Sequence, residues 1–244
     1  MPFAGERCPP AARMIPLRDE NPSSTVPFVT RLLIAINLAV FAYELMLGPT
    51  LQPFVMEWGL VPERLSLALH GREESVLGPA LTLFSSMFLH GGWMHVIGNM
   101  WYLWIFGDNV EDRFGHAGYL AFYLGAGVVA GLVQFATNPI SSLPTVGASG
   151  AIAGVLGAYA VAFPRARVMT LVPLFVFIQI VPLPALVVLG LWFVIQFFSG
   201  TLALASAMSG GIAFWAHIGG FAFGALAMLV LGRGGRRSYA RIAE

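Results

Sequence analysis

Lysine is absent from this chain of 244 residues, and charge of either sign is scarce. All 13 basic residues are arginine, 12 are acidic, and charged residues make up only 10% of the sequence, with a net charge of +1. Soluble globular proteins carry about 25% charged residues. That shortage, with 57% hydrophobic residues and a mean hydropathy of +0.77, excludes an ordinary soluble domain and leaves a chain that lives mostly in lipid. It also leaves no basic surface for nucleic acid. A single cysteine, Cys8, excludes an intrachain disulfide. No apolar core follows the first arginine, so the start does not read as a signal peptide. Several catalytic signatures are missing as well. There is no His-Glu-x-x-His and no carboxylate spaced to join the histidines on zinc. Asp108 and Asp112 sit together in a turn rather than as a buried pair on two helices. A Gly-x-Ser-x-Gly elbow would need glycine where Ala151 stands. No internal repeat suggests a transporter. The expected cofactor and metal content is therefore none.

Long apolar runs dominate what is present. Residues 1–26 are proline-rich, mixed in charge, and read as a flexible cytoplasmic tail. Residues 27–232 read as one membrane domain, and 233–244 as a basic cytoplasmic tail. Spans of ~20 residues are expected over 28–47, 93–106, 119–135, 146–163, 185–204 and 211–231. Between the first two, residues 51–69 are apolar but broken by prolines and are expected at the membrane interface. Residues 168–183 carry Pro173 and Pro182, so a re-entrant or interfacial segment is expected there rather than a crossing. The arginines fix the parity. With six spans, Arg64 and Arg72 lie alone on one side and the other eleven lie opposite, which puts both termini in the cytoplasm. The expected fold is an all-α membrane protein, a bundle of six transmembrane helices.

Spans two, four and six then begin at the same outer face. Ser149 lies at the start of span four, behind the turn-rich Asn138-Pro139-Ile140-Ser141-Ser142-Leu143-Pro144. A serine there has a backbone N–H without an intrahelical partner, at the helix end that favours negative charge. Gly150 and Gly154 would equally serve close helix packing. His217 comes from span six at matching depth, and His95 and Asn99, four apart, share one face of span two. Polar groups at membrane depth are costly and usually functional. A serine needs a base within hydrogen-bond reach, and neutral imidazole serves. Side-chain donors on span two, with the Ser149 amide, could hold an oxyanion. No carboxylate lies near enough to orient His217, so the residues support a dyad. Gly220 and Gly224 let span six approach span four.

Four short motifs in this order resemble the rhomboid intramembrane serine proteases of the bacterial six-helix type. They are His90-Gly-Gly-Trp-Met-His95-Val-Ile-Gly-Asn99, Gly107-xxx-Glu111-x-Arg113, Gly147-Ala-Ser149-Gly150 and Ala216-His217-Ile-Gly-Gly220-xxx-Gly224. The resemblance implies a serine endopeptidase of the bacterial inner membrane that cuts transmembrane segments. Its partners would be membrane-protein substrates, single-span ones foremost, and the lipid bilayer. It implies Ser149 as nucleophile, His217 as base, and His95 and Asn99 as oxyanion donors. It further implies that His90 braces the first outer loop, that Glu111 and Arg113 stabilise the turn after span two, and that the glycines serve packing. Some members carry an aromatic residue four after the serine, packed on the histidine. Here Ala153 stands there, and Trp215 or Phe214 is expected to hold His217 instead. The rival reading is a membrane scaffold that binds client helices without cutting them.

Overall fold

The computed structural model describes residues 14–73, 75–174, 177–205 and 213–232. The C-terminal tail with its arginines, Cys8, and residues 211–212 at the expected start of span six lie outside the described residues. The chain is mostly helical. Helices α1 (Phe28–Met46), α6 (His116–Thr137), α8 (Ala185–Ala205) and α9 (Phe214–Leu231) each contain a stretch long and apolar enough to cross a membrane. The protein is thus an integral membrane protein. Two further helices complete the bundle. Helix α5 (Trp93–Phe114) is equally long but carries Asp108, Glu111, Asp112 and Arg113 at its end. Helix α7 (Ser149–Ala162) has only 14 residues.

Helix α7 stands in the middle. Every residue from Gly150 to Ala160 is buried, so other helices surround it on all sides. Its end is set by Pro164, which disfavours a helical Phe163. At ~1.5 Å per residue its length is about 21 Å, short of a ~30 Å hydrocarbon layer. The glycines allow the backbones to touch. A methyl group at Gly157 would lie 2.1 Å from the Phe221 carbonyl oxygen, and one at Gly220 would lie 2.0 Å from that of Gly150. At Gly224 the distance to the Gly154 oxygen would be 1.8 Å. Only glycine permits such contact between α7 and α9.

Residues 48–73 and 75–85 are structured. Helices α2 (Leu51–Trp58), α3 (Pro62–Leu69) and α4 (Leu77–Ser85) fold over one end of the bundle. The α2–α3 connection pairs with the loop before α7, through Leu60 N–H to Thr145 O (3.1 Å) and Thr145 N–H to Leu60 O (2.7 Å).

Of the stretch 168–183, expected as re-entrant or interfacial rather than a crossing, residues 168–174 and 177–183 are strands of a sheet. Strands β1 (Ile15–Asp19), β2 (Arg167–Leu174) and β3 (Phe177–Pro184) pair antiparallel in the order β1-β2-β3. The prolines fit this arrangement. β3 is an edge strand, so the missing N–H groups of Pro182 and Pro184 need leave no gap in the ladder. Pro173 in central β2 lies beyond Leu171, the last residue paired with β1. The fold is therefore not purely α-helical, and Ile15–Asp19, inside the stretch read as a tail, is a strand.

The other end of the bundle is tied by carboxylates. Glu111, only 1% exposed, accepts hydrogen bonds from Val29 N–H (2.9 Å), Thr30 N–H (2.8 Å) and the Thr30 hydroxyl (2.7 Å). It also meets His116 Nδ1 at 2.5 Å. An acidic group thus closes the N-terminus of α1, where the helix dipole favours it. Arg113 lies over the Phe163 ring, 4.7 Å from its centre. Gly115, at φ +69°, turns the chain from α5 into α6.

Candidate active site

The turn Val146-Gly147-Ala148 delivers Ser149 to the start of α7. Gly147 has φ +121°, a conformation that favours glycine, and its N–H donates to Ser86 O at 2.8 Å. Space demands glycine as well. A methyl group there would lie 2.5 Å from His95 Nε2 and 3.6 Å from Asn99 Nδ2. The backbone approaching Ser149 therefore runs directly over the α5 face that carries both side chains.

Ser149 Oγ lies 2.8 Å from His217 Nε2, although 68 residues separate them in the chain. The contact depends on the α7–α9 glycine seam, since Gly220 sits one turn beyond His217. Asn99 is 8% exposed, and its Nδ2 has no hydrogen-bond partner among the described residues. It is a donor without an acceptor. His95 Nδ1 accepts the Gly91 N–H at 3.3 Å, which leaves the proton of the neutral ring on Nε2, the atom facing Gly147. Two side-chain donors thus stand beside the serine.

These groups line a cavity of about 460 Å³, together with Tyr102, Gln134, Trp192 and Gln196. It is large enough for an extended peptide segment and for water. The described residues that line it include no carboxylate. Among the described residues no cluster of three or more His, Cys, Asp or Glu side chains could hold a metal ion.

His90 is buried next to the site without lining the cavity. Its ring meets Phe41 at 6.4 Å and His95 at 5.2 Å between centres. Its N–H donates to both Glu44 oxygens at 3.2 Å. Glu44, near the end of α1, is 2% exposed, so the loop before α5 is anchored to α1 by a buried carboxylate.

Two residues at the site were not singled out from the sequence. His217 Nδ1 lies 2.9 Å from Gln196 Oε1 on α8. The Trp192 ring, one helical turn earlier, lies 5.8 Å from the His217 ring at 38°. Trp215, expected to hold His217, instead meets Phe197. The side facing Ala153 is closed, because Ala153 is fully buried and a methyl at Gly220 would lie 3.4 Å from its Cβ. An aromatic side chain therefore reaches His217 from α8, not from α7. The signal that could have marked Gln196 is that it is the one amide in the stretch 185–205, which holds no charged residue.

Residues 78–234 match the Rhomboid domain. The chain is 27% identical over 201 residues to Rhomboid protein 1, mitochondrial, of Saccharomyces cerevisiae, a match covering 80% of this chain and 50% of that protein. It is 35% identical over 115 residues to RHOMBOID-like protein 5 of Arabidopsis thaliana, covering 47% and 34% of the two chains. It is 34% identical over 95 residues to human Presenilin-associated rhomboid-like protein, mitochondrial, covering 38% and 25%. The matches thus span between a quarter and a half of these relatives' own length.

Proposed function

The chain belongs to the rhomboid family, and on that premise we propose that it is an intramembrane serine endopeptidase with Ser149 as nucleophile and His217 as base. The observation that carries this is the 2.8 Å contact of Ser149 Oγ with His217 Nε2 in a cavity lined by His95 and Asn99. The Ser149 oxygen attacks the scissile carbonyl carbon while its proton passes to His217 Nε2. Negative charge gathers on the former carbonyl oxygen, and the Ser149 N–H, Asn99 Nδ2 and His95 Nε2 donate to it. Imidazolium then gives its proton to the leaving amine, and an acyl-enzyme remains. Water, deprotonated by the same nitrogen, releases the acid and restores the serine.

The remaining assignments follow the same reading. Six spans, α1 and α5–α9, place both termini in the cytoplasm and the cavity mouth on the outer side, as the arginine distribution favours. His90 braces the loop before α5, and Glu111 and Arg113 brace the cytoplasmic turn. Clients are single-span proteins whose outer segment end is rich in Gly, Ala, Ser or Pro. Such a segment unwinds at low cost, which exposes carbonyls otherwise tied in helical bonds. They reach the cavity laterally, between α5 and α8. The setting is a bacterial inner membrane, by resemblance to the six-helix type. A mitochondrial membrane is the other setting, offered by the names of the yeast and human relatives.

The test is cleavage of a single-span reporter with a Gly/Ala-rich outer end in proteoliposomes. Wild type cuts it, Ser149→Ala and His217→Ala each do not, and chelators change nothing. Cleavage at the wild-type rate by Ser149→Ala contradicts the proposal. A folded chain that binds the reporter and never cuts it supports the scaffold reading.

A further inference from the structure

His217 has two ring nitrogens, and only one can take the serine proton. A neutral imidazole carries its own proton on the other. Nε2 acts as a base toward Ser149 only while that proton sits on Nδ1, and in most sites a carboxylate keeps it there. Here the described residues of the cavity lining include no carboxylate, and the titratable group among them that acts on His217 is His95, itself a donor toward Gly147.

Helix α8 supplies what is missing. Trp192 and Gln196 stand four residues apart and so share one face. Trp192 covers the imidazole ring and Gln196 Oε1 lies 2.9 Å from Nδ1. An amide oxygen can only accept, so this contact requires Nδ1–H and leaves the Nε2 lone pair toward Ser149. The opposite amide orientation would donate to Nδ1 and push the proton onto Nε2, where no base function remains. We propose that Gln196 is the positioning residue of the base, and that His217 is armed only while α8 is seated against α9. This rests on the protease reading above. Ser149 and His217 belong to α7 and α9, whose backbones interlock. The orienting amide belongs to a third helix, which meets α9 through side chains such as Phe193 on Phe221. A shift of α8 would release Nδ1 and leave the Ser149–His217 distance unchanged.

The experiment compares wild type with Gln196→Met, which keeps length and loses the acceptor, and Gln196→Glu, which keeps an acceptor. Readouts are kcat and KM on a fluorogenic Ala/Gly/Ser peptide, the rate of fluorophosphonate labelling, and the His217 tautomer by ¹⁵N NMR in detergent, with His217→Ala assigning the signal. Expected in Gln196→Met is a fall of the order of tenfold in kcat and labelling, the worth of about one hydrogen bond, with KM and thermal stability unchanged. The tautomer signal should change from Nδ1–H to a mixture. Gln196→Glu should recover most of the rate and move the acid limb of the pH–rate profile upward, because a carboxylate holds the imidazolium more strongly. A kcat unchanged in Gln196→Met, or lost equally in both variants, would overturn the proposal. So would a wild-type His217 protonated on Nε2, a readout that decides the matter even if Gln196→Met fails to fold. The tautomer needs no turnover. A chain that cuts nothing yet shows Nδ1–H, lost in Gln196→Met, would retain the positioning role and refute only the protease reading.

Discussion

Helix α9 makes two contacts that differ in kind. Toward α7 it lays backbone on backbone. Glycines at 157, 220 and 224 each sit where a methyl group would come within 2.1 Å or less of a carbonyl oxygen across the seam. Toward α8 it uses aromatic side chains, Phe221 with Trp192 and Phe193, and Trp215 with Phe197. At Gly190, in the middle of α8, a methyl group would meet nothing within 4 Å. A backbone seam has no soft degrees of freedom, whereas ring contacts slide and change rotamer. The molecule thus keeps Ser149 and His217 on its backbone seam and the cavity wall on its more compliant junction. On the function proposed above, that division would let a client helix enter sideways while the Ser149–His217 distance is kept.

Substitution on the seam should have the largest effect. Gly220→Val cannot be absorbed by a rotamer change, because the atom it meets is backbone. We expect collapse of thermal stability in detergent and loss of fluorophosphonate labelling. A stable, labelled Gly220→Val would show that the seam is looser than the contacts imply. Tethering the compliant side should have a smaller and selective effect. Gly200 faces the Phe214 Cβ at 3.0 Å, so Gly200→Cys with Phe214→Cys can be bridged after a small shift. In a Cys8→Ser background, oxidation should slow cleavage of a single-span reporter several-fold and spare a short soluble peptide, with reduction restoring the reporter's cleavage. Equal loss of both substrates would mean that α8 does not gate access.

A lesser effect is expected where the seam helix meets the sheet. Tyr159 on α7 donates to Asp19 of β1 at 2.5 Å. Burial raises the Asp19 carboxyl to about 6, opposed by the Tyr159 bond and reinforced by Asp108. A carboxyl raised in the folded state favours folding when protonated, so stability should rise as pH falls through about 6 toward the unfolded value of 3.8. The melting temperature should rise by a few degrees between about pH 7.5 and 5, and Asp19→Asn should abolish that rise. A pH-independent wild type would refute the shift. Gly190→Ala closes the series with the smallest effect, stability unchanged or slightly raised and cleavage unchanged, because no neighbour is displaced. Marked destabilisation there would erase the contrast between the two faces of α9.

The sequence made the long elements legible to within a few residues. α1, α6, α8 and α9 are apolar runs bounded by prolines, glycines or charges. The four-residue spacing of His95 and Asn99 put them on one face, and the glycine pair after His217 announced the seam. The β2–β3 pairing was hidden, because its strands are apolar on both faces and show no alternation. Their prolines read as helix stops, whereas they fall on an edge and beyond the β1 partner. Gln196 was hidden for another reason. Nothing local in α8 says that this amide faces a histidine 21 residues away. Ala153 announced that an aromatic contact had to come from elsewhere, but not from which helix.

The central claim is that Ser149 is activated by His217. The most direct measurement is fluorophosphonate labelling of the 244-residue chain in detergent, with the modified residue located by peptide mass spectrometry. The account predicts one adduct, on Ser149, lost in His217→Ala at unchanged melting temperature. An adduct on another residue, or undiminished labelling of Ser149 in His217→Ala, would contradict it.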